Sequence, residues 1–162
     1  MTPSANGIFT SSSVAPQRPF LAVGAAGLIV GVLDLTYAII VYSMHRPILV
    51  PQTIASGVLG AKAYQGGFGS AVLGIVLHFF IALSWATVFY LASRKLKFMV
   101  RHAVLCGIAY GAVVYLFMHL VVVPLSAVPP GPTPLIYQAA EFVWHWFGVG
   151  LPIALCVRRY SP

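Results

Sequence analysis

Two acidic side chains occur in this 162-residue chain, Asp34 and Glu141, and both fall inside long apolar stretches. Three of its five histidines, His78, His119 and His145, do the same. In the stretch Gln138 to Pro152, QAAEFVWHWFGVGLP, Glu141 and His145 stand four residues apart, which on a helix puts them on one face. Carboxylates and imidazoles are the groups from which proton relays, transition-metal sites and buried hydrogen-bond networks are made.

The elements that must position these groups follow from composition. Hydrophobic residues make up 60% of the chain and charged residues 7%, against roughly a quarter charged in a soluble domain. The expected class is an all-α, polytopic membrane protein with four transmembrane helices, about 20 residues being needed for each crossing. The net charge of +7 does not point to nucleic acid, because the basic residues sit in small groups beside apolar spans, where they read as topology signals. Cys106 and Cys156 read as small packing residues on the reducing side of the membrane, not as a disulfide.

Residues 1–19 are rich in Ser and Pro, lack the apolar mass to fold, and are expected to form a disordered cytoplasmic tail. The transmembrane domain, 20–159, then divides into helices expected at 20–42, 68–93, 102–127 and 135–157. Between the first two, Pro47 and Pro51 break the chain before a helical piece of about 13 residues, too short to cross a bilayer by the usual 1.5 Å rise and better suited to an interfacial or re-entrant position. The link Arg94 to Arg101 is short enough to force an antiparallel hairpin, and the Pro-rich VPPGPTP before the last helix excludes helix there.

Small residues mark the faces that pack. Gly24, Gly27 and Gly31 lead to Asp34 on the first helix; Ser70 and Gly74 lead to His78 on the second. Gly107 and Gly111 lead through Tyr115 to His119 on the third, and Gly148 shares the Glu141 and His145 face of the fourth. In lipid such residues let backbones approach closely, so Gly27, Gly31, Gly74, Gly107, Gly111 and Gly148 are the expected packing positions and the ionisable groups should face the bundle, not lipid.

Arg18, Arg94, Lys95, Lys97, Arg101, Arg158 and Arg159 would lie on one side and Arg46 and Lys62 on the other, a seven-to-two bias that puts both termini in the cytoplasm. Counted from the outer ends of the helices, Asp34 is roughly 12 Å deep, His78 and His145 roughly 15 Å, His119 roughly 13 Å and Glu141 roughly 9 Å. Each charged group near the bilayer centre costs on the order of 2.5 to 3.5 kcal/mol, so five at one level are expected to form a buried polar layer in the outer half of the membrane and to neutralise one another.

Three uses of that layer stay open. Hydrogen bonds among the five would fix helix packing, as in an accessory or scaffolding subunit of a membrane complex or a homo-oligomer. His78, His119 and His145 with Glu141 and Asp34 could hold a transition metal, or two of the histidines a haem b for which Gly74, Gly111 and Gly148 make room. A proton, ion or small-solute transporter would use the same groups, although below the layer only Ser84, Thr87, Tyr110 and Tyr115 offer polar atoms. No GxSxG, GxxxxGK, HExxH or CxxCH motif is present, and enzyme chemistry on a soluble substrate would need a partner.

The glycine-rich first helix, the connection VPQTIASGVLGAKAYQGG, the segment LHFFIAL and the closing VVVPLSAVP together resemble small uncharacterised bacterial inner-membrane proteins of the YagU-like kind. The resemblance runs over most of the chain and implies a multi-pass protein of the bacterial inner (cytoplasmic) membrane. It implies no site residues.

Overall fold

A computed structural model describes residues 18–43 and 45–160, so nearly all of the expected N-terminal tail lies outside the described residues. The described residues are helical throughout apart from turns and connections, with no strand among them. In chain order the helices are α1 (Pro19–Tyr42), α2 (Leu49–Leu59), α3 (Gly67–Lys95), α4 (Ala103–Leu125) and α5 (Leu135–Tyr160). All but α2 are long and apolar enough to cross a membrane, which makes the fold a four-span bundle. Apolar side chains cover its outside: Leu105 and Leu120 keep 71% and 70% of their surface bare, which suits contact with lipid tails and not with water.

Close packing rests on the small residues. A Cβ on Gly27 would strike Leu83, and one on Gly31 the ring of Phe79, so this pair seats α3 on α1. Gly107 and Gly111 meet the backbone of α5 at Gly150, Leu151, His145 and Trp146. Gly24 is an exception to the expected seam, since a Cβ there would meet nothing, and the close approach begins one turn later. Gly148 serves its own helix, where the Trp144 indole lies across it.

The bundle has two unlike ends. At the basic end, Ala26, Ala86, Phe89, Ala103, Ile153, Ala154 and Val157 form a buried apolar core. The helices here run further than expected: α3 continues through Arg94 and Lys95, and α5 through Arg158 and Arg159. Cations at a helix C-terminus favour the helix by complementing its dipole, so these residues do not stop it, and the Arg94 guanidinium settles over the Tyr90 ring at 5.7 Å. After Lys95 the link contains one helical turn, Phe98–Arg101.

At the opposite end α2 lies against the first turns of α3. Pro51 sits inside the first turn of α2 instead of breaking the chain before it, because the first turn leaves its N–H groups without intrahelical partners and a proline forfeits nothing there. Its carbonyl fills the space a Cβ on Gly74 would need. The Gln52 amide donates to the Gly67 carbonyl at 3.0 Å and to the Ser70 hydroxyl at 3.3 Å, and the Ala127 N–H donates to the Gly57 carbonyl at 3.0 Å. α2 is thus wedged between the start of α3 and the chain leaving α4. A 3-10 segment, Gly60–Gln65, follows, bracketed by Gly60 and Gly67 at φ +59° and +54°, values glycine adopts without strain.

Two stretches widen into π-helix, Met118–Val122 in α4 and His145–Gly150 in α5. Each contains the residue four positions before a proline: Leu120 before Pro124, and Gly148 before Pro152. A proline has no N–H for that carbonyl and its ring collides with it, and a widened turn relieves both problems.

Candidate functional site

A cavity of about 580 Å3 opens at the α2 end among all five helices. Asp34, His78, His119, Glu141 and His145 all line it. Its floor is Val30, Val114 and Val149, which also belong to the apolar core, so the cavity ends where the close-packed half begins. Its walls are mostly aliphatic: Val50, Ile54 and Val58 from α2, Leu77 and Ile81 from α3, Met118 and Val122 from α4. α3 and α4 meet through aromatic side chains, with the Tyr110 hydroxyl donating to the Trp85 carbonyl at 2.7 Å and Phe117 edge-on to Trp85 at 5.4 Å, and α2 covers the gap beyond.

Around this cavity the polar side chains pair mostly across helices. The Trp144 indole N–H donates to Asp34 Oδ1 at 2.9 Å, tying α5 to α1, while Tyr37 stacks on the same indole at 4.3 Å. The Tyr42 hydroxyl lies 3.4 Å from Glu141 Oε2 and 3.3 Å from the Tyr137 carbonyl, a second tie between α1 and α5. His119 Nε2 faces Glu141 Oε2 at 3.7 Å, joining α4 to α5. His78 Nε2 reaches the Gly31 carbonyl at 3.0 Å, joining α3 to α1. Within their own helices, His119 Nδ1 meets the Tyr115 carbonyl at 3.0 Å and His145 Nδ1 the Glu141 carbonyl at 2.8 Å.

The five residues expected from sequence therefore share one cavity, but His119 and Glu141 alone among them touch side chain to side chain. Sharing a helical face brings His145 to the Glu141 main chain and not to its carboxylate. Sequence reasoning missed the partners: Trp144, the interhelical donor to Asp34; Tyr42, whose hydroxyl reaches Glu141; and Tyr115, stacked on His119 at 4.0 Å. An aromatic next to an ionisable residue inside a span was the available signal for Trp144.

The residues present do not fit a metal or a haem. Among the described residues no group of three or more His, Cys, Asp or Glu side chains comes together to hold an ion. Asp34 turns to Trp144 and His78 to Gly31, so the five expected ligands face different partners. The glycines expected to make room for a haem macrocycle do not: Gly74 is filled by Pro51, Gly111 by the His145 backbone and Gly148 by the Trp144 ring.

The fold and site define a four-span α-helical bundle with a polar-headed, apolar-walled cavity. Comparison with protein families, with characterised proteins and with solved structures found no match.

Proposed function

We propose that this protein binds a small amphipathic molecule inside the membrane, holding its polar group at the Asp34, His78 and Glu141 level and its apolar body against α2 and α3. One observation carries the reading: every Asp, Glu and His residue of the four spans lines a single cavity. A volume of about 580 Å3 falls in the range of ligand sites, which run roughly from 300 to 1,000 Å3, and such sites combine apolar walls with a few convergent polar groups. The test is a saturable change in tryptophan fluorescence when 1-decanol is added to the full-length protein in lipid nanodiscs. Ala82→Phe, which projects a ring into the cavity, should abolish it. A response linear in decanol, as simple partitioning gives, counts against binding.

A second reading, an accessory or scaffolding subunit of a membrane complex, is favoured by the ties themselves, since Trp144 to Asp34 and His78 to Gly31 join helices whether or not anything occupies the cavity. Under that reading the cavity variant changes nothing, and loss of the ties lowers recovery of a larger complex or oligomer.

The basic-residue bias supports an orientation with both termini and the Phe98–Arg101 turn in the cytoplasm, and the resemblance to YagU-like proteins supports a bacterial inner membrane. A cysteine introduced at Lys97 should stay unreactive to an impermeant reagent added outside intact cells. Labelling there overturns the orientation.

A further inference from the structure

We propose that the ligand of this cavity is a lipophilic amine, with an ammonium head seated between Asp34 and Glu141. This rests on the binding reading above and names the chemistry the walls select. The three lining histidines each place one ring nitrogen on a backbone carbonyl: His78 Nε2 on Gly31, His119 Nδ1 on Tyr115 and His145 Nδ1 on Glu141. A carbonyl only accepts, so that nitrogen carries the proton, and in neutral His78 and His145 the other nitrogen is left as a bare acceptor, while the second nitrogen of His119 faces the Glu141 carboxylate. Three of the four lining hydroxyls have acceptors of their own, Tyr42 in Glu141 or Tyr137, Thr53 in Leu49 and Ser126 in Val123, and Thr133 is the fourth. Free hydrogen-bonding capacity on the walls is therefore chiefly that of acceptors.

Charge points the same way. Among the described residues no Lys or Arg lies within ion-pair distance of either carboxylate, and the one ionic partner, His119, stands 3.7 Å from Glu141. Two carboxylates among aliphatic walls attract a cation, and an ammonium supplies both the charge and the donors these acceptors lack. An alkyl chain on that ammonium matches Val50, Ile54 and Ile81. An acid or a phosphate would meet carboxylates and lone pairs and is rejected by the same walls.

The experiment compares n-decylammonium, 1-decanol and decanoate, one chain length with three heads, for binding to the full-length protein in phosphatidylcholine nanodiscs, with protein-free discs subtracted. Decylammonium should bind at least about ten-fold more tightly than decanol, a difference of about 1.4 kcal/mol, and decanoate more weakly than either. Glu141→Gln, which keeps the size of the side chain and removes its charge, should remove most of that preference. Asp34→Asn, which keeps an oxygen for the Trp144 indole, is the second variant should the first fail to fold. Equal binding of all three heads, or tightest binding of decanoate, overturns the amine and leaves the binding site standing. Binding of none of them, or binding unaffected by Ala82→Phe, overturns both.

Discussion

The basic half of the bundle and the α2 half are built from the same kinds of residue and reach opposite results. In the basic half Gly107 and Gly150 bring α4 and α5 into backbone contact, and Phe89, Ile153 and Val157 fill what remains with no exposed surface at all. In the α2 half the helices part around an open volume and polar side chains bridge it. Lipid tails are as apolar as leucine, so helix association in a membrane comes from close van der Waals packing and from interhelical hydrogen bonds. The two halves separate these contributions, with packing supplied at one end and hydrogen bonding at the other. A cavity is tolerable at the second end because the first holds the helices in register.

The largest effect that comparison predicts is at the tight end. A methyl on Gly150 has no room, since it would overlap the Gly107 carbonyl and the Gly111 backbone, and neither can move without opening the α4–α5 seam. Gly150→Ala should cost about 3 kcal/mol, the upper end for overpacking, read as a fall in thermal unfolding temperature in detergent. Gly24→Ala is its control: nothing lies within 4 Å of the added Cβ, and the change should stay within about 0.5 kcal/mol. Equal effects at both glycines would mean that the close approach does not hold the basic half together.

At the α2 end the matching substitution is Gly74→Ala, whose methyl would overlap the Pro51 carbonyl. α2 is an 11-residue surface element and has somewhere to go, so the cost should fall to about 1 to 2 kcal/mol. It should appear as faster labelling of a cysteine introduced at Ser56, which lies on the buried face of α2 with no exposed surface. Unchanged labelling would mean that α2 is not held down at this point.

The polar ties should matter less again. Trp144→Phe keeps an aromatic face for Tyr37 and removes the indole N–H that reaches Asp34. Side-chain hydrogen bonds between membrane helices average about 0.6 kcal/mol and reach about 1.7. A loss within that span is the expected result by reversible unfolding, and a loss as large as that of Gly150→Ala would show that the polar half carries the fold as well.

The legible part of this molecule is what regular helices dictate. Span positions follow from apolar runs, Gly27, Gly31, Gly107 and Gly111 from small-residue spacing, and the shared level of Asp34, His78, His119, Glu141 and His145 from a constant rise per residue. What the sequence hid is the choice of partner within that frame. Glu141 and His145 do share an α-helical turn, yet the imidazole settles on the Glu141 carbonyl and not on its carboxylate. Asp34 finding an indole, and His78 a glycine carbonyl, are choices among several equally spaced partners that only the packed helices decide.

Pro152 bears on why the α2 half is open. Pro152→Ala restores an N–H to bond the Gly148 carbonyl and removes the ring that forces the turn apart, so the His145–Gly150 stretch should tighten toward an α-helix. Stability should fall by about 1 to 2 kcal/mol, because a regained main-chain hydrogen bond offsets only part of what is lost in the contacts of Val149 and Gly150 with the core and in the Trp144–Asp34 tie. Tightening by one residue turns everything on the N-terminal side by roughly 100°, given 3.6 residues per turn, and that carries Glu141 away from Tyr42 and His119. Slower hydrogen exchange in the turn after Gly148, together with loss of decanol binding in a stable protein, is the expected pair of results. If exchange there is unchanged, packing and not proline sets the wide turn; if exchange slows but binding survives, the position of Glu141 does not define the site.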